Sequence, residues 1–286
     1  MTKERILERL RGEAAAGRPI IGAGCGTGLS ARCAEAGGAD LLVVYNSGRY
    51  RMAGRPSCAG MMPFGDANAI VVEMAAEVLP VVRDTPVLAG VCGTDPFRSM
   101  PRFLAELREL GFSGVQNFPT VCLYDGVFRR GVEESGLGFE REVEMVAEAN
   151  RIGLLTATYV ITPEETRAMV EAGADVVVPH MNTTLAGMAG VSTALSLDEC
   201  VEQIQLLHDE AKALNPDVIV LCHGGPIVAP GDMDHILRNT TGVLGFFGAS
   251  SMERLPTEQS ITQTLSDFKR VPLGVGVPAA IRSGDR

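Results

Sequence analysis

The sequence is poor in lysine: only three of its 25 basic residues are lysines, at Lys3, Lys212 and Lys269. None of them follows a predicted strand, so we expect neither a lysine Schiff base nor a pyridoxal phosphate site. Positive charge is also scarce, because 35 acidic residues give a net charge of −10 and no basic run occurs. Nucleic acid and anionic membrane surfaces are therefore not expected as partners.

The seven cysteines are scattered along the chain, and no CxxC pair occurs. This spacing excludes a zinc knuckle and a dithiol redox motif. The N-terminal segment MTKERILERLRGE lacks the apolar stretch of a signal peptide, and no apolar run reaches the ~20 residues of a membrane helix. These features predict a cytoplasmic protein with reduced cysteines.

Short apolar runs alternate with helix-length segments along the whole chain. Eight runs read as strands, at 19–25, 40–46, 86–92, 113–119, 154–160, 175–181, 217–223 and 242–248. Helices are predicted at 29–36, 66–79, 100–110, 139–151, 163–172, 196–214, 232–239 and 257–268. Each run is apolar on both faces, which is typical of parallel strands that are covered by helices.

This alternation predicts an α/β fold, a single (β/α)8 barrel, which commonly takes about 250 residues. We expect a leader helix within 1–18, the barrel at 19–270 and a tail at 271–286. A doubly wound open sheet is the alternative fold. The segment GAGCGTG at 22–28 does not form the GxGxxG fingerprint that such a sheet would carry, because position 29 is leucine.

The active site of a barrel lies at the carboxyl ends of its strands, and titratable side chains occur there. His180 and His223 follow predicted strands six and seven, and Asp95 follows strand three. The histidines are candidates for acid/base catalysis or metal binding, with buried structural histidines as the alternative. We expect His223 to matter more, because it precedes the glycine pair Gly224–Gly225.

Glycine-rich turns near the same edge suggest an anion site. Gly224–Gly225 follow strand seven, and Ser250 and Ser251 follow strand eight, where many barrels bind phosphate or carboxylate groups. The alternative is that these glycines only permit tight turns. The predicted substrate is therefore a small anionic molecule.

The loop at 46–66 is long and glycine-bearing, and we expect it to act as a lid or gate. Arg49 in this loop is predicted to bind an anion, whereas Arg51 and Arg55 are expected to be solvated. The other predicted substrate contacts are Asn46, Ser47, Asn117, Tyr159 and Glu253.

Four segments resemble the phosphoenolpyruvate mutase/isocitrate lyase superfamily, and within it the phosphoenolpyruvate hydrolase-like group. They are LSARCAEAGGADLLVV (29–44), TPVLAGV (85–91), GVQ (114–116) and EAGADVVVP (171–179). The resemblance covers about residues 19 to 270. It implies a barrel that acts as a lyase or hydrolase on a small 2-oxo acid or a phosphono or phosphorylated carboxylate. It also implies a homo-oligomer that exchanges its eighth helix.

Enzymes of this superfamily bind magnesium through carboxylates after strands three and four. In the corresponding segments here, GVCGTDP (90–96) and QNFPT (116–120), Asp95 is the one carboxylate, and it is displaced. Thr158 or Tyr159 stands where the superfamily has an arginine. One carboxylate is a poor magnesium site, so the sequence leaves open whether a divalent metal binds. Two hypotheses follow. One is a hydrolase or lyase in which His223 or His180 moves protons; the other is a non-catalytic barrel that senses a small molecule or binds a protein.

Overall fold

The computed structural model describes residues 1–192 and 195–273. Eight parallel strands form one sheet in the order β7-β6-β5-β4-β3-β2-β1-β8. They are β1 Ile20–Cys25, β2 Leu41–Val44, β3 Val87–Val91, β4 Gly114–Asn117, β5 Leu155–Val160, β6 Val176–Pro179, β7 Ile219–Val220 and β8 Gly245–Gly248. The Cys222 N–H donates to Gly245 O and the Phe247 N–H to Cys222 O, each at 2.9 Å, so the two edge strands meet. The predicted (β/α)8 barrel is confirmed.

Eleven α-helices are present in the described residues. They are α1 Lys3–Ala15, α2 Gly28–Ala36, α3 Asn46–Met52, α4 Ala67–Val78, α5 Met100–Leu110, α6 Gly126–Glu134, α7 Phe139–Arg151, α8 Pro163–Glu171, α9 Leu197–Leu214, α10 Pro230–Asn239 and α11 Arg254–Arg270. Local sequence fixes many of their ends. Thr162 and Glu165 form a capping box at the start of α8, and Gly111 ends α5 with φ of 110°. None of the described helices is long and apolar enough to cross a bilayer.

Two glycines inside the barrel make room for the Tyr45 ring near the carboxyl ends of the strands. A Cβ at Gly90 would collide with the Cβ of Tyr45, and a Cβ at Gly24 would lie 2.7 Å from the Tyr45 hydroxyl oxygen. The Tyr45 ring packs on Phe118 with the ring centroids 4.9 Å apart. Glycine at these two positions therefore lets aromatic side chains fill the barrel beneath its carboxyl edge.

The first part of the predicted 46–66 loop is folded and packed, and its role as a lid or gate stays a prediction. It forms α3 and a 3-10 helix at Ser57–Met61. The Asn46 side-chain amide donates to Gly60 O at 2.9 Å, and the Ser47 hydroxyl donates to Ser57 O at 2.9 Å. These bonds hold the two short helices together.

Helix α11 leaves most of its surface uncovered. Arg254 and Leu255 in its first turn are buried, whereas residues 259–270 are all exposed apart from the half-buried Ser266. The helix therefore does not close the barrel wall along its length. The predicted tail at 271–286 lies outside the described residues from 274 onward.

Candidate functional site

Two histidines and a tyrosine form a buried cluster at the carboxyl edge of the barrel. His180 follows β6 and His223 continues β7, and the two form a parallel β-bridge. Their ring centroids are 4.5 Å apart, and the Tyr159 ring lies 4.8 Å from His180 and 4.7 Å from His223. All three side chains are buried. The structure thus brings together two of the predicted catalytic residues and one predicted binding residue.

The backbone around the two imidazoles fixes opposite tautomers. The Nδ1 of His180 lies 3.0 Å from the Asn182 N–H, which can only donate, so the proton of a neutral His180 sits on Nε2. The Nδ1 of His223 instead contacts the Phe247 carbonyl oxygen, which can only accept. A neutral His223 is therefore protonated on Nδ1, and its Nε2 carries a free lone pair.

Both imidazoles are held neutral. Burial lowers the pKa of His180 well below its usual value, and the nearby His223 lowers it further. Burial also lowers the pKa of His223 to about 4; the hydrogen bond to Phe247 opposes this shift, and the positive charge of Arg51 adds to it. At pH 7 the pair consists of one N–H donor and one lone-pair acceptor.

The two histidines line a cavity of about 270 Å³, the size of a site for a small molecule. Its polar lining comes from α3, from the following 3-10 helix and from the segments after β6 and β7, and its apolar lining comes from the loops after β2 and β4. The lining residues are Tyr45, Ser47, Arg51, Ser57, Cys58, Met61, Met62, Phe118, Leu123, Tyr124, Tyr159, His180, Asn182, Thr183, Thr184, His223 and Ala249.

The arginine in this cavity is Arg51, not the predicted Arg49. Arg51 points inward and its Nη2 lies 3.0 Å from a Glu253 carboxylate oxygen, with both side chains 1% exposed. Arg49 lies on the outer side of α3, where its Nη1 is 3.7 Å from Glu73. The expectation that Arg51 is solvated is wrong, because the helical turn that forms α3 directs these two residues to different sides.

Glu253, predicted as a substrate contact, lies behind Arg51. Besides Arg51, its carboxylate accepts from the Gly26 N–H and the Ser30 hydroxyl. It is buried and does not line the cavity. Its described contacts make Glu253 the partner that holds the Arg51 guanidinium in place.

Asn117 also acts from behind the cavity. Its side-chain oxygen accepts the Tyr159 N–H at 2.7 Å, and its amide donates to Tyr159 O at 3.1 Å and to Glu142 at 2.7 Å. Glu142, on α7, was missed by the sequence analysis. Its carboxylate also accepts from the Thr120 hydroxyl at 2.8 Å and the Val121 N–H at 2.6 Å. Burial raises the pKa of Glu142 to about 7, against the opposing effect of these hydrogen bonds.

The other predicted site residues lie outside the histidine cavity, except Ser47. Asp95 borders a separate cavity and is bound to Asn68 at 3.0 Å and to Arg98 at 2.9 Å. Asn46 braces the 3-10 helix, as described above. Ser250 contacts the Ser57 hydroxyl at 2.9 Å, and Ser251 does not line the cavity.

The glycine pair after β7 has backbone angles that glycine favours, with φ of 82° at Gly224 and 58° at Gly225. The Gly225 N–H donates to Asn182 O at 2.9 Å. A Cβ at Gly224 would lie against that same carbonyl. The Gly225 amide is therefore already used within the protein rather than free for an anion.

The phosphoenolpyruvate hydrolase-like family matches residues 5–271 of the chain. The chain belongs to this family. It is 58% identical over 268 residues to the tomato (Solanum lycopersicum) ToMV resistance protein Tm-1(GCR237) and to its susceptible counterpart tm-1(GCR26). These matches cover 94% of this chain and 36% of each tomato protein, so the chain spans about a third of the length of these relatives.

Solved structures of more distant proteins share the fold of this phosphoenolpyruvate hydrolase-like chain. A phosphoenolpyruvate phosphomutase from Streptomyces platensis subsp. rosaceus is 16% identical with a TM-score of 0.59, covering 92% of this chain and 87% of that one. A phosphonopyruvate hydrolase bound to oxalate and Mg²⁺ is 14% identical with a TM-score of 0.56, covering 94% and 88%. At these identities the likeness concerns the barrel alone.

The cavity residues of this phosphoenolpyruvate hydrolase-like barrel do not fit a magnesium ion. Within residues 1–192 and 195–273, no three His, Cys, Asp or Glu side chains cluster closely enough to hold a metal. The histidine cavity has no carboxylate in its lining, and the Nε2 of His180 carries a proton rather than a lone pair. Hard divalent cations require several oxygen ligands, which this lining does not supply as carboxylates.

We expect nuclear magnetic resonance to show the two tautomers. In ¹⁵N-labelled protein at pH 7, His180 should be protonated at Nε2 and His223 at Nδ1, because each Nδ1 is committed to a backbone partner. Neither should titrate between pH 6 and 8, since burial lowers both pKa values. The variants His180→Asn and His223→Asn assign the signals. A charged imidazolium at pH 7 in either position would contradict this assignment.

Replacing Glu142 with glutamine should change how stability depends on pH. The folded state keeps the Glu142 proton up to a pKa of about 7, whereas the unfolded chain loses it near pH 4.3. The folded state therefore binds more protons between these values, and the wild type loses stability as pH rises through that window. The Glu142→Gln protein should lack this loss, although the mismatch of its amide with Val121 or Thr120 costs ~1–3 kcal/mol.

The measurement is the free energy of unfolding by urea from pH 4.5 to 8. The difference in the free energy of unfolding between the wild type and Glu142→Gln should decrease steadily as the pH rises toward 7. Glu144→Gln, on the exposed side of the same helix, is the matched control. A difference that stays constant over this range would show that Glu142 ionises normally.

Proposed function

We propose that this barrel is an enzyme, a lyase or hydrolase of a small 2-oxo acid, in which His180 and His223 act as a donor and acceptor pair. The observation that supports it best is the opposite tautomers of two neighbouring imidazoles in one cavity. Each Nδ1 is used by the backbone, and among the described residues neither Nε2 has a hydrogen-bond partner. An enolate-forming reaction needs such a pair, a donor for the developing oxyanion and a base for the proton.

The substrate carboxylate fits beside Arg51. The Nη1 of Arg51 lies 3.5 Å from both the Ser47 and the Tyr45 hydroxyl oxygens, which are long contacts that a carboxylate can replace. The other side of the guanidinium, Nε and Nη2, is held by Glu253. Arg51 can thus bind a carboxylate without moving.

The chemical step breaks the bond between C3 of the 2-oxo acid and its substituent. His223 Nε2 takes a proton from the substituent's hydroxyl in a lyase, or from the attacking water in a hydrolase. The substituent leaves as a carbonyl compound in a lyase, or bonded to the oxygen of the attacking water in a hydrolase. The electron pair of the broken bond forms an enolate, and its oxygen accepts a hydrogen bond from His180 Nε2–H. The imidazolium of His223 then returns the proton to C3, which yields the neutral imidazole and the product 2-oxo acid.

Substrate binding itself strengthens the base. The positive charge of Arg51 is one cause of the lowered pKa of His223. A bound carboxylate offsets that charge and so raises the pKa of His223, while burial continues to lower it. His223 is then a stronger base beside bound substrate than in the empty cavity.

The variant His223→Asn tests the catalytic role. Turnover of a panel of 4-hydroxy-2-oxo acids and phosphonopyruvate, followed by release of the 2-oxo acid product, should fall by ~10²–10⁴-fold, the usual effect of losing a general base. His208→Asn, which changes a buried histidine of α9 that does not line the cavity, should keep full turnover.

Circular dichroism separates a lost base from a lost fold, and His223→Gln serves as a second variant if the first unfolds. Full activity in a folded His223 variant would remove this residue from the mechanism. Tight binding of the panel with no turnover by the wild type would instead favour a small-molecule sensor.

We also propose that α11 packs against a second copy of the chain. Its exposed face carries Ile261, Leu265 and Phe268, which are 56%, 63% and 73% exposed and recur at helical spacing. Most of this helix has no partner within the described part of its own chain. An apolar stripe of this kind is typical of an interface between subunits.

The double variant Leu265→Glu/Phe268→Glu should dissociate the oligomer, because it places two charges in an apolar contact. Sedimentation equilibrium at micromolar concentration should show an oligomer for the wild type and a monomer for the variant. Leu206→Glu, an exposed leucine of α9 that is 55% exposed, is the control and should leave the mass unchanged. A monomeric wild type would refute the proposal.

A further inference from the structure

The histidine cavity offers almost no net positive charge to a ligand. Arg51 is its one permanently charged lining residue within the described chain. Glu253 binds its Nε and Nη2, which leaves Nη1 for one anionic group of a ligand. Both histidines are neutral, since burial lowers the pKa of each. A phosphonate or phosphate ester that also bears a carboxylate carries two to three negative charges. Transferring such a group into a buried site without compensating cations is strongly unfavourable.

A divalent cation could supply the missing charge, but the cavity does not provide its ligands. No carboxylate lines the cavity, as described above, and the predicted candidate Asp95 borders a different cavity, where Asn68 and Arg98 bind its carboxylate. The residues present therefore match neither a phosphonate nor a metal that would bind it.

Part of the same lining is a continuous apolar wall. Met61 and Met62 come from the end of the 3-10 helix after β2. Leu123 and Tyr124 come from the end of a second 3-10 helix, Val121–Leu123, after β4. The Tyr124 hydroxyl donates to Met61 O at 3.4 Å, which joins the two loops. Phe118 completes the wall, and its ring contacts those of Tyr45 and Tyr159.

We propose that the ligand of this cavity is a monoanionic 2-oxo acid with an apolar substituent, rather than a phosphono or phosphorylated acid. This inference rests on the proposed function and narrows its substrate class. The single carboxylate binds Arg51, the 2-oxo group faces the histidine pair, and the apolar group covers the wall of Met61, Leu123 and Phe118.

Calorimetric titration of the whole chain tests the inference with three ligands: pyruvate, 4-methyl-2-oxopentanoate and phosphonopyruvate, each with and without Mg²⁺. The Kd of 4-methyl-2-oxopentanoate should be about tenfold lower than that of pyruvate or lower still, because its extra carbons are buried. Phosphonopyruvate should bind no more tightly than pyruvate, and Mg²⁺ should not change this order.

The variants Leu123→Lys and Met62→Lys should weaken the preference for 4-methyl-2-oxopentanoate over phosphonopyruvate. Each variant places a cation on the apolar wall. The Kd of phosphonopyruvate relative to that of 4-methyl-2-oxopentanoate should therefore fall by about tenfold or more. Met62 is 52% exposed, so its replacement leaves the fold intact even if Leu123→Lys does not fold. Leu206→Lys, on the exposed face of α9, is the matched control and should keep the wild-type order.

A second readout separates this inference from the proposed function. In D₂O, His223 acting as a base exchanges the C3 protons of bound 4-methyl-2-oxopentanoate, which proton NMR follows. Phosphonopyruvate that binds most tightly, with or without Mg²⁺, would overturn the inference even if it is turned over. Preferred binding of 4-methyl-2-oxopentanoate without exchange or turnover would uphold the ligand class and overturn the proposed function. No binding of any of the three acids would overturn both.

Discussion

The buried ion pair between Arg51 and Glu253 is the interaction on which the candidate site depends. Glu253 stands just before α11 and also accepts hydrogen bonds from the backbone after β1 and from Ser30 on α2, while Arg51 belongs to α3 after β2. Removing either partner of such a pair leaves an uncompensated buried charge, which costs ~3–5 kcal/mol. This ion pair thus connects the segments that follow β1, β2 and β8, and it orients the Arg51 guanidinium toward the cavity.

A second buried carboxylate plays the corresponding part on the other side of the barrel. Glu142 binds the amide of Asn117, and Asn117 in turn holds the Tyr159 backbone by two hydrogen bonds. The Tyr159 ring packs on both histidines. The rotation of the imidazoles is therefore set by packing as well as by their backbone partners, and the donor and acceptor roles do not depend on a flexible side chain.

The sequence predicts the barrel well because each of its elements is marked locally. The predicted helices at 100–110 and 139–151 agree with α5 and α7 residue for residue, and eight strands occur where apolar runs were found. The site was predicted less completely. His180 and His223 could be found because they directly follow strands, but three arginines crowd positions 49 to 55, and only the turn of α3 decides that Arg51 points inward.

Glu142 was missed although the sequence carries a signal for it. It lies three residues after Phe139 and three before Met145, and therefore on the apolar face of α7, where a carboxylate must find buried donors. Asp95 shows the opposite limit. It follows β3 but is displaced from the carboxylate positions that the resemblance implies, and Arg98 pairs with it at a separate cavity. The sequence places Asp95 at the strand end but does not show which cavity its side chain enters.

Burial is the main cause of the neutrality of the histidines, and the placement of the carboxylates preserves it. A carboxylate in contact with either imidazole would favour the charged imidazolium, and a protonated His223 could not accept a proton. Here Glu253 and Glu142 both lie behind the cavity, bound to Arg51 and Asn117, so their charges are balanced or hydrogen-bonded before they reach the imidazoles. In the proposed mechanism the carboxylate that raises the pKa of His223 is then that of the substrate. The substrate then brings its own carboxylate to Arg51, so the proposed acid/base pair does not require a carboxylate in the cavity lining.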